Sequence, residues 1–464
     1  MGHGHTHGTT AFRDVGIART PKRILLTVLI VVGVATIVGL LVLWPYGGGA
    51  GVAASGGMTA NGTTFPTGEI VRITPDCSGP QTAPSSGSGS AGTTSSGSGG
   101  VPGAGAAATA CAMAQVRLGS GSRAGETVTV MLNGPFAHAG LRQGDQLELM
   151  ITPLAGRPRV AQPGGVDPGV SVFGVVRAVP LAVWAGLFVL VVAAVGLHRG
   201  LLALVGLVFS GGMIVMFMLP ALLRAGPATA IALVGASAIL YVVLYLAHGV
   251  SMRTSAALAG TLGGVVITAV VAQLAVVTTR LSGIDESAGF LAPMVPHVDF
   301  QGLLTCAIII AGLGVLNDVT ITQSSSVWEL RTVAPGLSRR QLFGRAMRIG
   351  RDHIASTIYT IVFAYVGASL SIVLLLYVYD QPMLNVLSFE DIATEIIRTL
   401  CSGIGLVLAV PLTTAIAVAL LPPGSATAGD PAPAALSEDD AAKVDWLRTP
   451  RDVELPRLGG DGTR

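Results

Sequence analysis

Eight stretches of the chain are each long and apolar enough to cross a lipid bilayer, and no other feature of the sequence restricts its fold as much. A spanning helix needs roughly 20 predominantly apolar residues, because the hydrocarbon core is about 30 Å thick. The stretches cover residues 24–44, 180–197, 201–219, 228–246, 254–277, 302–319, 354–377 and 396–421. Any one of them alone reads equally well as a buried core helix. Eight in one chain, separated by short polar breaks, do not. Composition agrees, since 51% of the residues are hydrophobic and 11% charged, against about 25% charged in soluble domains. The expected fold class is an all-α membrane bundle of about eight transmembrane helices, with the lipid bilayer as its first partner.

The first run follows Arg19, Lys22 and Arg23, as a secretory signal would. It is longer than the usual apolar segment of a signal, and no small-x-small cleavage site follows Trp44, so an uncleaved anchor is expected. Orientation follows from the placement of Lys and Arg. Arg13, Arg19, Lys22 and Arg23 put the N-terminus inside, and eight crossings then bring the C-terminus inside as well. On that count His198–Arg199, Arg253 and the segment holding Arg331, Arg339, Arg340, Arg345, Arg348 and Arg351 are also internal. The loops assigned outside carry Asp285, Glu286 and Asp299, then Asp380, Glu390, Asp391 and Glu395, with Arg224 and Arg280 as isolated exceptions.

Between the first two spans lies far more chain than a connection needs. Residues 60–177 are expected to form a small extracytoplasmic β-rich domain, a barrel or a sandwich. Residues 126–132 (ETVTVML) and 146–151 (QLELMI) alternate apolar and polar positions, 170–176 offers another strand, and Asn133-Gly134 and Gly144-Asp145 supply turn chemistry. Residues 78–110 are almost wholly Gly, Ser, Ala, Thr and Pro, too poor in apolar side chains to build a core, and read as a disordered insertion. Cys77 and Cys111 bracket it, and a disulfide between them at an oxidising exterior is expected to compete evenly with free thiols. Cys306 and Cys401 fall within spans and read as inert.

Residues 1–23 form a cytoplasmic tail in which His3, His5 and His7 alternate, a pattern able to chelate a transition metal or to be only a flexible polar tail. Residues 178–421 form the seven-helix remainder of the membrane domain, and 422–464 a Pro-, Ala- and Asp-rich disordered cytoplasmic tail.

Polar side chains at membrane depth are costly and mark function more often than chance. The sixth span ends in GVLNDVTITQSSSVWELR, residues 314–331. At about 100° per residue, Asp318, Thr322, Ser325 and Glu329 fall on one helical stripe, beside Asn317 and Gln323. The seventh span begins with Arg351, Asp352 and His353, followed by Ser356 and Thr357 one turn on. Arg351 and Asp352 are in position to pair with Glu329 or Asp318 across the two helices. These ten residues (Asn317, Asp318, Thr322, Gln323, Ser325, Glu329, Arg351, Asp352, His353 and Ser356) form the candidate site. They read either as a path for cations or protons or as hydroxyl and ion-pair glue between helices. Residues 337–353, LSRRQLFGRAMRIGRDH, read as a basic amphipathic stretch against anionic headgroups or as a plain positive-inside anchor. Gly260 and Gly264 form a GxxxG close-packing surface. Pro220 and Pro411 are placed to kink their spans.

Nothing in the chain reads HExxH, GxSxG, GKS/T after a Gly-rich loop, or GxGxxG at a strand-to-helix junction, so no enzyme chemistry and no cofactor are expected.

Residues 314–331 and 346–370 (AMRIGRDHIASTIYTIVFAYVGASL) together resemble the YibE/F-like family of bacterial membrane proteins. The resemblance extends from the external β segments to the last span. It implies a multi-pass protein of the bacterial cell membrane, described in that family as a predicted permease, with no substrate to carry over. Many members have an acidic pair where this chain has Asn317-Asp318, and Asn near the position of Tyr359, departures that weaken a proton relay built there.

Two functions are expected to compete. One is a secondary transporter of an unknown small solute or ion, with its path between spans six and seven. The other is a non-transporting binding or envelope-assembly module acting through the external β-domain. Neither calls for nucleic acid, and both admit an oligomer.

Overall fold

The computed structural model describes residues 16–46, 63–74, 112–153, 165–293, 295–378 and 382–423. His3, His5 and His7, the Cys77–Cys111 pair, the insertion at 78–110 and the tail beyond 423 lie outside the described residues.

The β-rich domain consists of β1 (Thr67–Thr74), β2 (Ala112–Leu118), β3 (Thr127–Leu132), β4 (Gln146–Ile151) and β5 (Val170–Val175). They form one antiparallel sheet in the order β3-β2-β1-β4-β5. The alternation read from the sequence is the burial alternation. Val128, Val130 and Leu132 of β3 face Ala114, Val116 and Leu118 of β2, with Ile70, Leu147 and Leu149 closing the same core. A register shift between Ile70 and Arg72 bends β1, as a bulge does.

The sheet curls until its edges approach, and Asp167 joins them. Its amide donates to the carbonyl of Thr129 at 2.9 Å, and its carboxylate accepts from the Thr129 amide at 2.8 Å. The result is a half-barrel, not a sandwich. β3 and β5 meet as parallel edges without a ladder, as in a partly open five-stranded barrel.

Helix α1 (Arg19–Leu43) precedes this domain, and α2 (Ala178–Leu223) follows it after Val176 and Arg177. Then come α3 (Ala228–His248), α4 (Met252–Thr279), α5 (Phe300–Val333), α6 (Arg339–Ala368), α7 (Leu370–Val378) and α8 (Glu390–Leu420). Six helices (α1 to α5 and α8) are long and apolar enough to cross a membrane. The α6–α7 pair, bent by 63°, makes up to seven. The count of eight differs because the second and third apolar runs lie in the single 46-residue stretch α2.

That stretch is not straight. Leu197 leaves the helical region with φ 48°, and a Cβ on Gly200 would stand 2.5 Å from the carbonyl oxygen of Val192. In an unbroken helix residues so spaced are about 12 Å apart. The chain therefore doubles back there, and only glycine fits the return. Beyond the reversal a π-helical turn, Ile214–Met218, brings Phe217 into a stack with Trp44 at the end of α1, ring centroids 5.8 Å apart.

The helical core lies where α4, α5 and α8 meet, and small residues set its spacing. A Cβ on Gly264 would lie 2.9 Å from both Ala409 and Leu316. Gly260 is closed over by Thr413, and Gly405 by Thr268. Thr261 and Thr320 share a hydroxyl hydrogen bond across α4 and α5. The Gly260/Gly264 close-packing surface expected from the sequence is this seam.

Side-chain caps begin three of the helices: Ser251 on α4, Asp299 on α5, and on α6 a capping box of Ser338 and Gln341. At one end of the bundle the amide of Ala18 donates to the carbonyl of Leu420, and the Arg339 guanidinium donates to the carbonyls of Ala419 and Leu421. At the other end Glu390 accepts from the amides of Ser282 and Gly283, and Arg224 donates to the carbonyl of Tyr46.

Candidate functional site

The expected stripe on α5 lies on the more exposed side of that helix. Asp318 and Glu329 are exposed, and Thr322 and Ser325 are half-buried. The hydroxyls of Thr322, Ser325 and Ser326 bond back to the carbonyls of Asp318, Ile321 and Thr322 in their own helix, which spends their donors locally. Arg351, Asp352, His353 and Ser356 on α6 are exposed as well. Among the described residues the ion pairs are Arg123–Glu126 and Arg398–Glu395. The expected pairing of Arg351 or Asp352 with Glu329 or Asp318 is absent from that set. Two like-facing polar stripes remain apart because the α5–α6 contact is made elsewhere.

That contact is built on Gln323, the one member of the expected set that is fully buried, at 1% exposure. Its amide nitrogen donates to the carbonyl of Ala346 on α6 at 3.0 Å and to the hydroxyl of Thr414 on α8 at 2.7 Å. Its carbonyl oxygen faces Gly350, where a Cβ would lie 2.9 Å away. With Ser324 donating to the carbonyl of Arg253, this face of α5 ties α4, α6 and α8 together. Farther along the same face Arg331, 4% exposed, donates to the carbonyls of Pro335 and Leu337 and fixes the α5–α6 elbow. The carbonyl oxygen of Gln323 and the Nε and second terminal nitrogen of Arg331 are buried there without a hydrogen-bond partner among the described residues.

Openings exist at two other places. A cavity of 220 Å³ lies between α2, α3 and α5, lined by Ser210, Ile214 and Asn317 among apolar neighbours. The side-chain oxygen of Asn317 is buried there without a partner among the described residues. The cavity sits at the start of the π-helical turn, a distortion found often at functional sites.

The larger opening is a groove between α6, α7 and α8, in two contiguous parts of 210 and 380 Å³ that share Val362, Thr399 and Leu400. Its walls are apolar apart from Thr399 in the middle and, at one end beside the α6–α7 bend, Tyr365, Ser369 and Glu395. Glu395 and Arg398, one turn apart on α8, form an ion pair at 2.5 Å. The second carboxylate oxygen of Glu395 and the Nε of Arg398 are buried without a hydrogen-bond partner among the described residues.

Glu395 was expected in an external loop. It lies inside α8 because that helix begins at Glu390, six residues before the apolar run at 396. The signal that could have found the pair is an oppositely charged i, i+3 couple, EIIR, at the head of an apolar run.

Among the described residues no group of three or more His, Cys, Asp or Glu side chains is placed to hold a metal ion. Residues 184–423 match the family described as YibE/F-like protein, a stretch that takes in the groove, the cavity and the Gln323 junction and leaves out the half-barrel. No curated protein and no solved structure matches the chain.

Proposed function

We propose that this chain, which belongs to the YibE/F-like family, is a multi-pass membrane permease whose solute site is the groove between α6, α7 and α8. The observation that carries this reading is Glu395, ion-paired with Arg398, lining an opening beside a bent span. An ionisable pair within a spanning helix is expensive unless it serves a purpose. Broken helices at a polar site are the usual build of transporters. This moves the site away from the α5 stripe, where the polar atoms are spent on local bonds or exposed.

The membrane reading is supported by the exposed apolar faces of α1 and α2, including Ile30, Val42, Leu181 and Trp184, which only lipid or another apolar surface can cover. Eight crossings with both termini on one side fit the geometry of α2. Its Arg199 interacts electrostatically with His248 at the far end of α3, and its end at Arg224 reaches Tyr46 beside α1. A stretch that travels out and back in this way crosses twice.

The two ends of the bundle also differ in charge. Arg19, Lys22, Arg23, Arg253, Arg339 and Arg340 gather at one, and Asp285, Asp299, Glu390 and Asp391 at the other. By the positive-inside rule the first end is cytoplasmic and the half-barrel is outside the cytoplasm.

The test is solute profiling of cells lacking the gene, complemented with the wild-type gene or with Glu395→Gln. Wild type restores the altered solute and Glu395→Gln does not. Full restoration by Glu395→Gln removes the groove from the path. A deletion that alters no solute removes the permease reading.

A further inference from the structure

We propose that the half-barrel lies against the bilayer surface, with the aromatic pair Phe65 and Phe173 set among the phospholipid headgroups of the leaflet that α2 enters first. The proposal rests on the membrane reading above and concerns the domain which that reading leaves without a role.

The pair exists because β5 carries an extra residue. Leu149 of β4 stands opposite Val172, and its neighbour Glu148 stands opposite Gly174, so Phe173 has no partner in the ladder. In a regular strand, residues three apart point to opposite faces. Here Val172 and Val175 both pack on the half-barrel core. The bulge allows that and turns Phe173 outward, where it is 49% exposed. Phe65 reaches it from the stretch before β1. Thr64 exchanges both backbone bonds with Ile151, and Pro66, which is buried, accepts from the amide of Leu149. Phe65 therefore faces out, as does Met150 between Leu149 and Ile151. The two rings meet edge to face, with centroids 4.9 Å apart. Neither ring belongs to the core of the domain.

The length of the link decides what lies within reach. β5 ends at Val175 and α2 begins at Ala178, so Val176 and Arg177 are all that separates them. From Phe173 to Ala178 the chain spans at most about 18 Å. Every residue from Val176 to Val191 is exposed, among them Val179, Leu181, Trp184 and Phe188. On a helix that crosses the membrane those side chains belong to lipid. The ring pair and this lipid-facing surface follow one another along the chain with no folded segment between them. A soluble partner or a second copy has to compete with a bilayer surface that the link never lets out of range.

The polar groups around the rings set the depth. Arg177 stands at the foot of this wall, exposed, where its guanidinium is placed to meet phosphates. Glu148, between the buried Leu147 and Leu149, lies on the same outer face as the rings, opposite Thr67 and Gly174. A carboxylate is not carried into hydrocarbon without great cost. Phe65 and Phe173 therefore reach the headgroups and the first acyl carbons and go no deeper, the level taken by amphipathic elements that lie in the interface. β2 is across the curled sheet from β4 and β5, and its outer wall carries the exposed Gln115 and Arg117. Docked in this way, the half-barrel keeps its β2 wall turned away from the membrane.

The experiment uses the purified full chain in vesicles of palmitoyl-oleoyl phosphatidylcholine, with a photo-crosslinking side chain placed on either wall. The variants are Phe173→p-benzoylphenylalanine and, as the control on β2, Gln115→p-benzoylphenylalanine. After irradiation, mass spectrometry of the protein reports what each position touched. The Phe173 variant gains the mass of one phospholipid several-fold more often than the Gln115 variant does. Phe65→p-benzoylphenylalanine repeats that result if the Phe173 variant does not fold. Three outcomes overturn the proposal: no lipid adduct at Phe173 and Phe65, a crosslinked dimer in place of the lipid adduct, or equal lipid adducts on the two walls. A carbonate wash of the vesicles separates this inference from the reading beneath it. A chain that stays with the vesicles but gives no lipid adduct at the ring pair overturns this inference alone. A chain that washes off overturns the membrane reading as well.

Discussion

The two sides of α8 pack by opposite rules. Toward α4 and α5 its Gly405, Ala409 and Thr413 interlock with Gly260, Gly264 and Thr268, and backbones approach until no Cβ can be added. Toward α6 and α7 the same helix presents Glu395, Thr399 and Leu400 to open space, and most side chains from Arg351 to Ser371 on the facing arm are exposed or half-buried. In a membrane, where apolar burial gives no drive for helices to associate, close packing through small residues is what makes a helix pair rigid. One face of α8 therefore belongs to a fixed scaffold. The other belongs to an arm that is joined to the scaffold mainly at its N-terminal end, through Gln323 and Arg339, and that bends by 63° where α6 meets α7.

The largest expected effect breaks the scaffold side. Gly264→Leu drives a side chain into Ala409 and Leu316, each 2.9 Å from where its Cβ must stand. Overpacking of this kind costs up to about 3 kcal/mol, and here no neighbouring loop can yield. The melting temperature of the purified protein in detergent falls. A variant with unchanged melting would show that the seam is looser than its geometry.

Gln323→Leu sharpens the comparison at the junction of scaffold and arm. It removes the bonds to Ala346 and Thr414 but also the buried carbonyl oxygen that lacks a partner. Thr414 still donates to the carbonyl of Val410, so its hydroxyl keeps one bond while its oxygen and the Ala346 carbonyl each lose a donor. The net loss is about 1 kcal/mol. Hydrogen exchange of the α6 amides near Ala346 rises while that of α4 and the facing part of α8 stays as it was. Equal loosening on both sides would mean that the arm and the scaffold move as one body.

How much of this was legible in the sequence depended on which physical signal each element carried. The half-barrel was readable because a strand's alternation maps directly onto burial, and Val128, Val130 and Leu132 are inside as the pattern requires. The GxxxG seam was readable because glycine four residues apart has few uses other than close approach. The reversal in α2 was not, since a left-handed residue at Leu197 has no propensity signature, and Gly200 alone did not reveal it. On α5 the 100° projection grouped residues correctly but could not say which group faced inward. Thr320, Gln323, Ser324 and Arg331 are buried although they are as polar as Asp318, Thr322, Ser325 and Glu329. A helix that is polar on both faces gives the eye no apolar stripe to orient it. Glu395 carries no hydropathy signal of a span, because α8 begins at Glu390, before the apolar run at 396.

The smallest effect is expected at the stripe itself. Asp318 is exposed on α5, outside the set of ion pairs, and its backbone carbonyl serves Thr322 whatever side chain it carries. Asp318→Ala therefore changes stability by less than about 0.5 kcal/mol, the usual range for an exposed position, and restores solute levels in deleted cells as well as wild type does. A large loss of solute transport in Asp318→Ala, with melting unchanged, would return the path to α5.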